Sequence, residues 1–539
     1  MVLWGERTRT SGVTPDLDCE TFPLGVASFD PLAEGVLIWT HVVGHDRCTW
    51  ELAADRSFTD VRASGDATAG AHGTVTVEVG DLSPATSYWY RFTASDGSTS
   101  RVGRTRTLPG EGAERLRIAV VCCARYSQSE FTVYGSVAAA EVDVVVHLGD
   151  YVYEDTKDGL PGREPDPGHD CVTIDDYRKR HQQARSDPHA RDLHAAHPMV
   201  VIWDDHDLAD NAWRGGAKTH DPDEQGPWAD RMDAALRAQQ EFLPKRLADP
   251  ADLTSAWRRL DAGDLCTLLC TEGRVHRDLQ AGNEGSASAT DPGRTMLGTV
   301  QARWLEECVV DTNARWAVLL SGTVMSEMVI PAPDLLDEVL PEKYAVVDGC
   351  AVNTDQWDGY QAERDRVAAA LARRGGGSLV LSGDIHSSWA IEGPLGPDGV
   401  PVAVELVCPP AATTPLGQLF PAGVGERAAP KLVEQIPGCR WADLDHRGYL
   451  TLDLSHHQAE ATWWWVKERT AVQGRRWNVP RSTPPGLIDP EPRVRPDGTP
   501  SSGPEPGDPP PKRRRVGALV LAAAAGIAAT VVARRFVKR

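Results

Sequence analysis

Val142-Asp143-Val144-Val145-Val146-His147-Leu148 runs directly into Gly149-Asp150-Tyr151-Val152-Tyr153-Glu154. The apolar half predicts a strand buried on both faces, the pattern of a parallel sheet under helices. At its end a glycine lets the backbone turn, so that the Asp150 carboxylate points out of the sheet. The same arrangement recurs three times. Residues 116–121 lead into Cys122-Cys123, residues 199–203 into Asp204-Asp205-His206-Asp207 with Asn211, and residues 378–381 into Gly383-Asp384-Ile385-His386. In open α/β sheets the ligand site lies beyond the carboxyl ends of the strands. Four strand ends delivering Cys, Asp, Tyr, Asn and His to one edge predict a single metal-rich site, and that points to a hydrolase.

The residue types suit this reading. A carboxylate at position 150 can bridge two cations, and a Tyr153 phenolate suits a hard trivalent ion such as Fe(III). Three carboxylates and an imidazole in residues 204–207 repel one another unless solvated, protonated or metal-bound. They directly follow an apolar run, which argues against solvation of all four. Asp384 and His386 are two apart and face the same way on an extended segment. Mixed O, N and S donors fit a two-metal hydrolytic site, in which water is acidified and phosphoryl charge is neutralised. His206 can then protonate the leaving alkoxide.

The chain of 539 residues has room for two or three domains, and its 41% hydrophobic and 25% charged content is that of an ordinary globular protein. Its formal net charge is −21, although residues 512–539 hold eight Lys or Arg and no acid. So acidic a body excludes a nucleic-acid scaffold that works by neutralising phosphates. The eleven cysteines are odd in number, scattered and mostly within apolar runs, as expected of reduced buried thiols. Residues 1–16 carry no apolar signal-like stretch, so the catalytic body is expected in the cytoplasm.

Six segments are expected along the chain. Residues 1–17 form an N-terminal arm and 18–110 a fibronectin-III-like β-sandwich, read from short alternating strands and turns. Residues 115–470 alternate strands with helices at 299–308 and 361–374 and close with a hairpin across Ser455-His456-His457-Gln458. A Pro/Arg-rich linker covers 471–515. Residues 516–533 are eighteen uncharged positions between two basic clusters, about the minimum for a transmembrane anchor. A basic tail, 534–539, follows. Membrane association through this segment is therefore expected.

The motifs together resemble the alkaline phosphatase D (PhoD-like) branch of the calcineurin-like metallophosphoesterases. The likeness covers about 22–466. It rests on residues 22–31, Gly149-Asp150-Tyr151-Val152-Tyr153-Glu154, Trp203-Asp204-Asp205-His206-Asp207, Arg294-Thr295-Met296-Leu297-Gly298, Gln301 with Trp304-Leu305, Trp357-Asp358-Gly359-Tyr360 and Ser382-Gly383-Asp384-Ile385-His386. The resemblance implies an α/β metallophosphoesterase sandwich with αββα layers. It also implies an iron(III) and calcium centre, with manganese, zinc or cobalt as alternatives. Cys123, Asp150, Tyr153, Asn211, Asp384 and His386 match metal ligands, and Asp205 and His206 match the catalytic pair. The substrates implied are phosphodiesters and phosphomonoesters.

Departures accompany the match. Phe29 stands where the family has Gly, Asp207 replaces a usual Glu, and Cys122 replaces a Ser or Thr. Thr271-Glu272-Gly273-Arg274 replaces a usual Asp-Thr-Arg, which bears on substrate-side contacts. Two rival readings stand beside the phosphoesterase: a membrane-tethered, phospholipase-like phosphodiesterase, and a binding protein with a dead site.

Overall fold

In the computed structural model of the chain, the described residues are 19–480 and 486–487, apart from 71, 158, 284, 332–344, 348–349 and 468–469. Among them the strands form sheets of nine, seven, four and three strands. The nine-stranded sheet (sheet I) contains the parallel neighbours Arg115–Val121, Val144–His147 and Pro198–Val201. Three of the four strand ends that carry polar clusters thus lie side by side. The fourth, Ser378–Ser382, belongs to the seven-stranded sheet (sheet II), parallel to Trp316–Leu320 and Val404–Val407. The single sheet edge expected from the pattern is in fact two edges.

Alternation explains how the sheets stack. Leu116, Ile118 and Val120 of sheet I share one core with Leu268, Val318, Leu379 and Leu381 of sheet II. The residues between them, Ala119 and Val121, face the other way and pack with Val145, Met199 and Val201 on Tyr134, Leu193 and Phe242 of the helices covering sheet I. On the far side of sheet II, Leu269, Leu319 and Val380 meet Leu305, Val367 and Leu371 of helices Gly298–Asp311 and Gln361–Arg374. Helix, sheet, sheet, helix is the resulting order of layers. Both sheets are buried on two faces, which is why their strands read as nearly continuous apolar runs.

Helix ends follow local chemistry. Thr173 and Asp176 form a reciprocal capping box at the start of Ile174–Ser186, and Asp187 with Pro188 starts Pro188–Ala196. Gln361–Arg374 ends on Gly375 in the left-handed region.

The N-terminal region differs from the separate sandwich expected over 18–110. The strands Arg47–Ala53, Val61–Thr68, Ser87–Ala94 and Gly103–Arg106 make the four-stranded sheet. Its apolar face packs on Val26, Val36, Ile38, Val75 and Val79. Those residues lie in Val26–Phe29, Val36–His41 and Thr74–Val79, which extend sheet I itself, because Val26–Phe29 pairs in parallel with Pro198–Val201. The sandwich is real as two packed layers, but one layer is continuous with the catalytic sheet. A four-residue strand followed by a turn gives too short a pattern to reveal that pairing.

The linker expected from 471 also needs correction. Thr470–Pro480 is a strand paired along Gln458–Lys467, with Trp477 and Val479 buried. Arg476 and Asn478 alternate with these two, as an edge strand allows. The expected hairpin is present as Gly448–Ser455 and Gln458–Lys467. No helix among the described residues is long and apolar enough to cross a membrane. The arm 1–17, the anchor at 516–533 and the tail at 534–539 lie outside the described residues.

Candidate metal centre

The carboxyl ends of the two sheets are stitched together by the loop after Val404–Val407. Ala411 N donates to Cys122 O at 2.8 Å, and Ala412 N and Thr413 N donate to Cys123 O at 3.1 Å. Around this seam the backbone is held in conformations that side chains avoid. Nine non-glycine residues among those described have positive φ, and five of them are Cys123, Asp150, Asn211, Asp384 and His386. Such conformations cost about 1–3 kcal/mol each where the side chain gives no local compensation. Asn and Asp tolerate them best; Cys123 has no such excuse. Strain gathered on five residues that also carry donor atoms marks a preorganised site.

Cys123 Sγ, an Asp150 oxygen and a His386 ring nitrogen lie within 4.8 Å of one another. Tyr153 is anchored beside them: its hydroxyl donates to Asp150 Oδ2 at 2.7 Å and lies 3.0 Å from Thr413 Oγ1. The Arg125 guanidinium stacks 3.8 Å above the Tyr153 ring, and His206 packs against the ring with centroids 4.4 Å apart. Burial pushes the Cys123 thiol far up, helped by Cys122. Burial, with Asp150 and Cys123 adding, does the same to Tyr153. Burial takes His386 down to about 3, which leaves a neutral imidazole able to donate a lone pair.

Asp150 also belongs to a second group, with Asp204 and Asp205, again within 4.8 Å. One carboxylate shared by two donor sets could serve two cations. Arg274, fully buried, faces this acidic pocket: Nε donates to Asp204 Oδ1, and Nη1 to Asp355 at 3.0 and 3.1 Å. Its Nη2 lies 3.4 Å from Asp384 Oδ1 and 3.7 Å from Asp205 Oδ1. One arginine does not satisfy the set, because Asp204 Oδ2 and Asp205 Oδ1 are buried with no hydrogen-bond partner among the described residues. Burial raises Asp150 and Asp384 well above the usual carboxylate range and takes Asp204 to about 6. Asp205 runs the other way: burial opposes ionisation, but Arg274 and His206 outweigh it. Orphaned carboxylate oxygens, a shared aspartate and a thiol with a neutral imidazole fit a cation pair, whose charge reverses the upward shifts.

The remaining expected residues divide. Asn211 donates its N–H to Asp205 Oδ2 at 2.6 Å, and its amide reaches Gln280 Oε1 at 3.3 Å. Asp384 accepts from Gln356 and Arg274 and lies outside the Cys123 group. His206 is fixed from two sides. Its N–H reaches Asp150 Oδ1 at 3.3 Å, and its Nδ1 lies 2.7 Å from Glu154 Oε2. Burial alone would lower the His206 pKa, but the Glu154 and Asp205 carboxylates prevail and raise it. Asp207 belongs to neither donor set and accepts four backbone N–H groups: Asp150 at 2.8 Å, Tyr151 at 3.0 Å, Val152 at 3.2 Å and Asp204 at 3.0 Å. It ties two ligand-bearing loops together.

Several partners escaped the motif reading. Asp204 was one acid of a cluster, with nothing in sequence to separate it from Asp205. Glu154 lay inside a quoted motif without a role. Thr413 and Gln356 carry no local signal, since each is brought in by a loop of sheet II. Arg274 lies in a stretch that departs from the family motif, and only its burial among carboxylates reveals its part.

A family profile described as "PhoD-like phosphatase" matches residues 118–463, and one described as "PhoD-like phosphatase, N-terminal domain" matches 8–109. The chain is 31% identical over 408 residues to alkaline phosphatase D of Bacillus subtilis (strain 168), covering 70% of this chain and 66% of that relative's length. It is similar to the solved structure of PhoD with a TM-score of 0.74 and 27% identity, covering 89% of this chain and 94% of that one.

Proposed function

Because the chain belongs to the PhoD-like phosphatase family, we propose that it is a metal-dependent phosphoric ester hydrolase. The observation that carries this reading is the pair of donor sets that share Asp150. In the proposal Cys123, Asp150, Tyr153 and His386 hold iron(III). Asp150, Asn211 and Asp384, with Asp204 at the same pocket, hold calcium, and manganese, zinc or cobalt are the alternative occupants. When bound, the cations supply Lewis acidity that lowers the pKa of water and offsets phosphoryl charge.

The chain's own residues do the rest. Asp205 and His206 are the catalytic pair. Glu154 holds His206 at Nδ1, so that Nε2 can give its proton to the departing oxygen. Asp205, by its charge, favours the protonated ring. Arg274 holds Asp204 and Asp355 in place and favours the ionised forms of Asp205 and Asp355. The substrates proposed are phosphodiesters and phosphomonoesters. The N-terminal layers, read as a fibronectin-III-like sandwich, serve packing and not chemistry. A tether through 516–533 and a cytoplasmic body are proposed on sequence grounds, alongside ten described cysteines that are all free thiols.

The test is hydrolysis of a chromogenic diester and monoester by the full chain after metal is stripped and iron(III) with calcium is returned. Recovery of activity by the pair, and its loss in Asp150→Asn with the fold intact, is the expected result. Full activity in the variant would overturn the shared-ligand reading. A folded protein inactive with every metal would favour the binding-protein alternative. Removing 512–539 tests the tethered, phospholipase-like alternative, which requires lipid hydrolysis to fall while a soluble ester is still cleaved.

A further inference from the structure

At the opposite end of Arg115–Val121 from Cys123 lies a cleft of about 450 Å³, lined by Arg104, Arg106, Arg115, Arg117 and the floor residues 140–143. Arg104 and Arg106 are two apart on Gly103–Arg106, and Arg115 and Arg117 are two apart on Arg115–Val121, so each pair presents to one face. The cleft opens where the four-stranded sheet meets sheet I. Cys123 lies six positions after Arg117, which places the cleft about 20 Å along the strand from the candidate metal centre.

The charges do not balance within it. Arg115 and Arg117 share Asp453, and Arg106 Nε lies 3.0 Å from Asp143 Oδ1. Arg104 reaches only neutral oxygens, Ser87 Oγ at 2.9 Å and Ala196 O at 3.4 Å. Glu141 lines the cleft and is exposed; it accepts from Arg117 Nη1 at 2.8 Å through its backbone oxygen, and its carboxylate forms no ion pair with the four among the described residues. Arg106 Nη2 and Arg115 Nη1 have no hydrogen-bond partner among the described residues. Four guanidinium groups thus meet two engaged carboxylates and the exposed Glu141, in a chain of formal net charge −21. Burial, with Arg106 adding repulsion, lowers the Arg104 pKa, and the nearby Asp143 carboxylate offsets this only in part.

We propose that this cleft is a second anion site, separate from the metal centre, that takes a phosphate dianion. Planar guanidinium forks match phosphate oxygens two at a time, and the dianion neutralises the positive surplus. The volume lies within the range of small-ligand pockets and has room for an organic group on the phosphate. Free phosphate and the phosphoryl group of an organic monoester share this chemistry. The proposal goes beyond the hydrolytic reading and does not depend on it.

The experiment is calorimetric titration of the full metal-loaded chain with inorganic phosphate and, separately, with glycerol 3-phosphate in the Asp150→Asn background, where turnover is expected to be lost. Phosphate binding is expected to persist in Asp150→Asn and to weaken at least about tenfold when Arg104→Gln and Arg106→Gln are added, since two charge-assisted donors are lost. In the otherwise native chain, the same two changes should reduce a two-site isotherm to one site while leaving ester hydrolysis unchanged. Glycerol 3-phosphate binding as tightly as phosphate assigns the site to organic monoesters; phosphate binding alone assigns it to the free ion. Phosphate binding that vanishes with Asp150→Asn in a folded protein, or that ignores both arginine changes, overturns the proposal.

Discussion

Replacing Glu154 by Gln should move the alkaline limb of the pH–rate profile to lower pH. Glu154 Oε2 lies 2.7 Å from His206 Nδ1, and the two side chains are 0% and 12% exposed. Its other oxygen accepts from Asp210 N at 2.8 Å. A glutamine that keeps the Asp210 bond turns its NH₂ toward Nδ1, which then must accept and cannot be protonated. A hydrogen bond to a charged group is worth about 1.5–3 kcal/mol, which is about 1–2 pH units at 1.36 kcal/mol per unit. The sign follows from His206, whose pKa is raised in the fold by Glu154 and Asp205 against burial. The protonated donor exists below that pKa, so lowering it removes the donor earlier as pH rises.

The assay is kcat against pH for two diesters, one with an alkoxide leaving group and one with a nitrophenolate. The alkoxide needs the proton, so its rate above the new pKa should fall about 10- to 100-fold. The nitrophenolate does not, and its rate should fall by less than about threefold. Equal losses for both esters, with no shift of the limb, would refute the positioning role and leave Glu154 as a loop tie to Asp210.

Three further outcomes are expected. Stripping metal should lower Tm by an amount that grows as pH rises from about 4 past 6. Asp204 moves from 3.8 to about 6 when burial acts without a cation, and stability held by a raised carboxylate is present at low pH and lost as pH rises through the folded value; equal Tm values for the loaded and stripped protein at every pH would count against a metal centre. Asp207→Ala leaves four buried backbone donors without their acceptor, so the urea midpoint should fall by the equivalent of about 3–5 kcal/mol at unchanged m, and a loss below about 1 kcal/mol would mean the loops hold without it. Gly149→Ala places a Cβ 2.4 Å from Asp204 N at a φ of +104°; metal affinity and stability should drop together, and a variant that binds metal normally would show that the two loops can part.

Much of the site was legible because its chemistry is local. Cys123, Asp150, Tyr153, His206 and His386 each follow an apolar run within a few residues, and the run announces the strand that positions them. The same holds for Gln361–Arg374, whose helical bounds the sequence reading matched. What was not legible depends on chain segments far apart. Thr413 meets Tyr153 across 260 positions, and Arg274 meets Asp204 across 70; nothing near either residue encodes its partner.

The sequence by itself determined that apolar strands alternate with helices and end in donor residues, since periodicity and turn chemistry act over a few residues. Only the tertiary structure decided that those strands divide between two sheets, that Val26–Phe29 joins the N-terminal layer to sheet I, and that Thr470–Pro480 is a strand. Strand pairing is set by hydrogen bonds between backbones, which look alike in every sequence, and by which apolar faces meet. The sharing of Asp150 between two donor sets has the same origin: it follows from how the ends of two sheets are brought together by the core between them.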